Sequence, residues 1–215
     1  MDTACRSSNY EIMRERMAQA FLQYDQAHMI RKFALAHDEN YLYLDLLAQK
    51  HRICRLTGAV TWSEDGFRTE KAADYHAAMT IYDVLCGAKE HCRLSHEWVN
   101  VSSLCSIQGG TLRKDGDFFK NSGPAFSGSG AALDIVCRRL GGIHQPKGDV
   151  SYELALFPFL PLILRFWEAD EEFPASLQAL VDRNTLDFLR YETLMFALDY
   201  VVKRLNTLCA EMTNI

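Results

Sequence analysis

The chain has 215 residues, of which 48% are hydrophobic and 24% charged, and its formal net charge is −5. That balance supplies a globular core and excludes a disordered chain. It also excludes nucleic acid as a partner, because no long Lys/Arg run is available to displace counterions.

The opening stretch, MDTACRSSNYEIMRERM, is not a secretory signal: Glu11 and Glu15 fall where an apolar core would lie. The longest apolar run, Leu154 to Phe166, is shorter than the roughly 20 residues a bilayer requires. Pro158, Pro161 and Arg165 interrupt it as well, so no membrane association is expected. Cysteines stand at 5, 54, 86, 92, 105, 137 and 209, an odd and scattered set that makes no disulfide framework. A reducing, cytoplasmic location follows, with the thiols buried or free.

In chain order, Tyr10, Met13, Met17, Phe21, Tyr24 and His28 recur at helical spacing and predict one amphipathic helix over about 9–36. Leu42, Leu44 and Leu46 then alternate with Tyr43 and Asp45. His51 and Ile53 follow past a short turn, which predicts a β-hairpin over 41–54. A third strand is expected near Gly58–Trp62, ended by Glu64-Asp65-Gly66. A helix over 70–87 places Ala73, Ala77, Ile81 and Leu85 on one face, with Gly87 as its stop.

The middle reads as a strand at Trp98–Leu104, a turn at Lys114–Asp117 and a loop at 121–130 (NSGPAFSGSG). A helix from Ser129 to Gly141-Gly142 follows, with Arg138 and Arg139 in its last turn. The last third gives strands at Tyr152–Phe157, Leu162–Trp167 and Ala175–Val181. Asp182 or Asn184 then caps a helix running to about Leu208, in which Asp199 and Lys203 form an i,i+4 pair.

The fold class is therefore α+β: antiparallel three-stranded units flanked by helices, within a single domain over 1–215. The order helix, three strands, helix occurs twice, over about 9–88 and 128–208. A duplicated αβββα arrangement and a chance recurrence of two amphipathic units are the two readings.

Gly141-Gly142, Lys147-Gly148-Asp149, Phe157-Pro158 and Leu160-Pro161-Leu162 form a recognisable pattern. It continues through Phe166-Trp167, Asp170-Glu171-Glu172-Phe173-Pro174 and Leu180-Val181-Asp182. It resembles a bacterial and archaeal family called domain of unknown function 3786, found mostly in anaerobes. The resemblance covers most of the chain and is strongest from about residue 105 to 205. It implies no activity and no catalytic residue. The joining of some relatives to iron–sulfur modules implies anaerobic redox or cofactor metabolism. No Cys-x-x-Cys pair or four-Cys run is present here, so this chain carries no such module.

The acidic tip, Glu168 with Asp170, Glu171 and Glu172, is the first candidate site. Crowded carboxylates act as acid–base pairs or hold a hard cation. Trp167 and Phe173 flank the tip, and aromatic walls beside carboxylates suit a cationic or metal-bound ligand. The plain alternative is a solvated turn beside core aromatics. Cys86, His91, Cys92, His96 and Cys105 gather soft ligands, but at a Cys-x5-Cys-x3-His-x8-Cys spacing foreign to zinc sites, so no metal is expected. Gly128-Ser129-Gly130 enters a helix and would attract an anion, although Ser129 as an N-cap explains it more simply. His51 and Cys54 fall on opposite strand faces and make no dyad.

Three functions fit these residues. One is a small-molecule or cofactor-binding protein of anaerobic metabolism, with its cavity between the two strand units near Trp167; the sequence names no cofactor. Another is an enzyme using Asp170, Glu171 and Glu172. The third is an interaction subunit or homodimer, which requires an exposed apolar patch.

Overall fold

The computed structural model describes residues 9–104 and 122–213, which form five α-helices and two five-stranded antiparallel sheets. Helices α1 (Asn9–Phe21) and α2 (Gln26–Phe33) lead into the first sheet. Its strands are β1 (Ala36–His37), β2 (Tyr41–Leu46), β3 (Gln49–Cys54), β4 (Val60–Ser63) and β5 (Lys71–Ala72), adjacent in that order. Helix α3 (Tyr75–Gly87) and strand β6 (Trp98–Asn100) follow, then α4 (Gly130–Arg139), β7 (Ile143–His144), β8 (Val150–Phe157), β9 (Leu160–Trp167), β10 (Ser176–Asp182) and α5 (Tyr191–Thr213). The second sheet runs β6-β10-β9-β8-β7.

Alternation decides which face of the first sheet is covered. Leu42, Leu44 and Leu46 are buried while Tyr41, Tyr43 and Asp45 are half-buried, the period-two signature of a one-sided strand. The β2–β3 turn, Leu47-Ala48, holds both residues at positive φ (46° and 56°), as a two-residue hairpin requires. Leu47 occupies this costly conformation for a tertiary reason. It is 1% exposed, and its N–H donates to Leu156 O at 2.8 Å, joining the two sheets. Stacked rings add a second joint: Phe159 of the β8–β9 turn lies 4.5 Å from Phe33 and 6.3 Å from Phe188. One continuous core spans both sheets.

The two halves match from the helix before each sheet, α2 and α4, through the third long strand. α2 closes with Ala34 in the left-handed region and Leu35 N–H donating to Ile30 O. α4 closes the same way, with Gly141 at φ 77° and Gly142 N–H donating to Cys137 O. Each closing turn feeds a two-residue strand that pairs antiparallel with the next long strand, His37 opposite Leu42 and His144 opposite Tyr152. The expected three-stranded units are thus the central meanders of five-stranded sheets. The fifth strand breaks the match, since β5 follows its meander whereas β6 precedes its own.

Local capping explains the other departures. The helix expected over 9–36 is two helices, because the Asp25 carboxylate accepts His28 N–H and starts α2 afresh. Of the expected apolar stripe, Phe21 is buried while Tyr10 and Met13 are exposed; Ala18, Met29 and Phe33 supply the other buried positions. α3 starts at Tyr75 under an Asp74 cap, and Gly87 is its last helical residue rather than a left-handed stop. The strand expected at Trp98–Leu104 ends at Asn100 and becomes a 3-10 turn, Val101–Leu104. Pro161 lies inside β9, opposite Ala155, and not in the turn. Neither Asp182 nor Asn184 caps α5, which starts at Tyr191 after a 3-10 turn at Thr185–Asp187. Asp83 of α3, 2% exposed, accepts the Arg190 N–H at 2.7 Å and fixes that start. The turn expected at Lys114–Asp117 lies outside the described residues.

Gly58 sets how closely α1 approaches the first sheet. It holds φ at 73°, and a Cβ there would stand 2.2 Å from Ala18 O, while Tyr82 Oη donates to Gly58 O at 2.6 Å. Gly58→Ala is expected to cost about 2 kcal/mol, read as a lower urea midpoint at unchanged slope.

Candidate functional site

The connection from β9 to β10 carries the candidate site. Trp167, the last residue of β9, is half-buried and pairs with Ser176, the first of β10. Between them, Asp170 Oδ1 accepts the N–H groups of Glu172 (2.9 Å) and Phe173 (2.7 Å), and Asp170 N–H donates to Phe173 O at 3.0 Å. This side-chain-closed turn fixes Phe173 in the open, 66% exposed.

Two distant segments complete the wall. Glu168 N–H donates to Asp149 Oδ2 at 2.8 Å. The Glu168 carboxylate accepts Gly128 N–H through Oε2 and Gly130 N–H through Oε1, each at 3.0 Å, at the start of α4. The 3-10 turn Gly123–Phe126 lies directly beneath, since a Cβ on Gly123 would come within 2.4 Å of Ala175 O. The result is a cleft of about 560 Å³ walled by Trp167, Phe173 and Pro174, with Asp149, Glu168 and Asp170 around it.

Of the five residues expected at a site, Trp167, Asp170 and Phe173 line this cleft. Glu171 and Glu172 do not; both are exposed on the turn. Asp149 was not expected, and its contact with Glu168 spans 19 residues, beyond any local pattern. The cleft lies at Trp167, as expected, but not between the strand units. All its lining residues fall between Asp149 and Ser176, at one end of the second sheet.

Ser129 is the N-cap residue of α4, as expected, but its side chain makes no capping bond. An anion does sit on those amides, and it is Glu168.

Among the described residues, no group of three or more His, Cys, Asp or Glu side chains could hold a metal ion. His91 and His96 are exposed, burial pushes the Cys86 thiol up to about 12, and Cys105 lies outside the described residues. His51 is buried and Cys54 half-buried on the opposite face of β3, so no dyad forms. A second groove of about 350 Å³ runs between the first sheet and α5, lined by Gln49, Trp62, Lys71, Tyr200, Lys203 and Arg204 among others. Its lining also includes Glu64, Asp74 and Glu211, so positive and negative groups balance. No helix among the described residues is long and apolar enough to cross a membrane.

A family model described as Domain of unknown function (DUF3786) matches residues 25–204. No curated protein and no solved structure matches the chain.

Proposed function

The chain belongs to the DUF3786 family, and from that premise and the geometry we propose that it is a small-molecule-binding protein whose ligand occupies the cleft at Trp167. The observation that carries this is the aromatic-walled cleft itself. Its volume of about 560 Å³ suits a small ligand. Holding Phe173 66% exposed removes apolar surface from the core and leaves it facing solvent at the mouth.

The test is a thermal-shift panel of metabolites and cofactors run on the protein and on Trp167→Ala. A ligand at a hundred times its dissociation constant adds about 2.7 kcal/mol to stability, a plain rise in Tm. Trp167→Ala is expected to abolish that rise while keeping its own cooperative transition. A rise that survives in Trp167→Ala would place the ligand elsewhere.

A second reading, an interaction subunit or homodimer, has one observation in its favour. Helix α1 leaves Tyr10 64%, Met13 39% and Ile12 36% exposed. Light scattering on the eluting protein tests it, and a monomer at all concentrations would count against it. The acid–base reading has no comparable support: Asp170, Glu171 and Glu172 are all exposed, and Glu171 and Glu172 stand outside the cleft.

A further inference from the structure

We infer that the ligand of this cleft is an organic cation, a quaternary ammonium or N-alkylated heteroaromatic group, seated against the Trp167 and Phe173 rings. The inference rests on the cleft reading above and adds the chemical class.

Charge points first. Among the described residues, the side chains lining the cleft include three carboxylates, Asp149, Glu168 and Asp170, and no Lys, Arg or His. These carboxylates are not equivalent. Glu168 has both oxygens taken by the amides of Gly128 and Gly130, so its charge is largely answered by the start of α4. Asp149 is held through Oδ2 by the Glu168 N–H, and Asp170 through Oδ1 by two turn amides. Each is therefore pinned by one oxygen, and no hydrogen bond engages the other among the described residues. Carboxylates fixed in advance lose little freedom when a ligand arrives.

The same geometry separates an organic cation from a metal ion. A hard cation such as calcium needs six or more oxygens converging at about 2.4 Å. The described residues offer no group of three side chains that could hold a metal. A diffuse cation has no such requirement. It is attracted by ring faces within about 6 Å and by carboxylates through space. An anion would meet two pinned negative charges and, among the described residues, no lining cation, which is repulsive.

The test compares three probes of one shape: choline, its neutral isostere 3,3-dimethylbutan-1-ol, and the anion 3,3-dimethylbutanoate. Titration calorimetry at millimolar probe, at low and at high salt, reads the affinities. Choline is expected to bind about tenfold or more tighter than the alcohol, and to weaken with salt. The carboxylate is expected not to bind. Asp149→Asn and Asp170→Asn keep an amide-accepting oxygen but lose the charge. Each should weaken choline severalfold and leave the alcohol unchanged, whereas Trp167→Ala should weaken both. Equal binding of choline and alcohol, tighter binding of the carboxylate, or no binding of choline overturns the cationic class and leaves the cleft reading standing on its own panel. Choline binding that survives in Trp167→Ala overturns both.

Discussion

Replacing Asp182 with alanine is expected to lower the unfolding free energy by about 4 kcal/mol, among the largest effects of any single change in this chain. Asp182 ends β10, is 2% exposed, and stands opposite Trp98 of β6. Its Oδ1 accepts Ser95 N–H (2.9 Å), Ser95 Oγ (2.9 Å) and Asn184 N–H (2.8 Å), and Oδ2 accepts His96 N–H at 2.7 Å. These bonds hold His96 at φ 60°, a left-handed conformation that a β-carbon disfavours. Alanine would leave four donors without their acceptor and release the segment that delivers β6 to the sheet. Burial acts to raise the Asp182 pKa, but the Ser95 and Asn184 amides, the Ser95 hydroxyl and the His96 amide outweigh it and hold the group below its ordinary value. A carboxyl lowered on folding stabilises the protein above its unfolded pKa, and that contribution is lost as pH falls through the folded value. Asp182→Asn, with one acceptor and no charge, should show an intermediate loss and no such acid-linked component. Urea denaturation checks both variants. A loss below about 1 kcal/mol for the alanine variant would mean that the 93–97 segment is held by something else.

The second large effect is a dependence of stability on pH between neutrality and about 4. His51 on β3 is 1% exposed, with Nδ1 bonded to Gln49 O at 2.9 Å and Nε2 buried without a partner among the described residues. Burial pushes its pKa down from 6.5 to about 4, against the opposing pull of the Gln49 carbonyl. The folded protein therefore keeps a neutral imidazole down to about pH 4, while the unfolded chain takes up a proton below about 6.5. Between those values the unfolded state binds more protons, so stability is lost as pH falls, by about 3 kcal/mol over the whole window. Above pH 7 this contribution is flat. His51→Leu removes the titrating group from the site, and its Tm should vary less with pH from 7 to 4 than that of the unaltered protein. Parallel curves would show that the acid sensitivity arises elsewhere.

Much of the fold was legible because its signals are local. Leu42, Leu44 and Leu46 declare β2 by alternation, and Ala77, Ile81 and Leu85 declare the buried face of α3. What stayed hidden depends on partners far along the chain or on segments shorter than any period. β1, β5 and β7 are two residues each, too few to alternate. β6 is fixed by pairing with Leu180–Asp182, some 80 residues away. The matching helix ends of the two halves use Ala34 in one and Gly141 in the other, so the shared geometry leaves no shared letter.

The candidate site divides the same way. Trp167, Asp170 and Phe173 fall within one short connection and were found together. Glu171 and Glu172 share that stretch, yet the turn that Asp170 closes leaves them outside the cleft, and composition gives no warning of it. The 40-residue reach from Glu168 to Gly128 has no trace in any window of sequence.

That reach gives the molecule a built-in reporter. The two amides held by Glu168 belong to glycines at the entrance of α4, outside the cleft lining, while Glu168 itself lines the cleft. A guest that draws the Glu168 carboxylate toward itself loosens both protons, and one that leaves the carboxylate in place does not. Their hydrogen exchange, followed by nuclear magnetic resonance, therefore reports without a label a guest that competes for the carboxylate and separates it from one that leaves it in place.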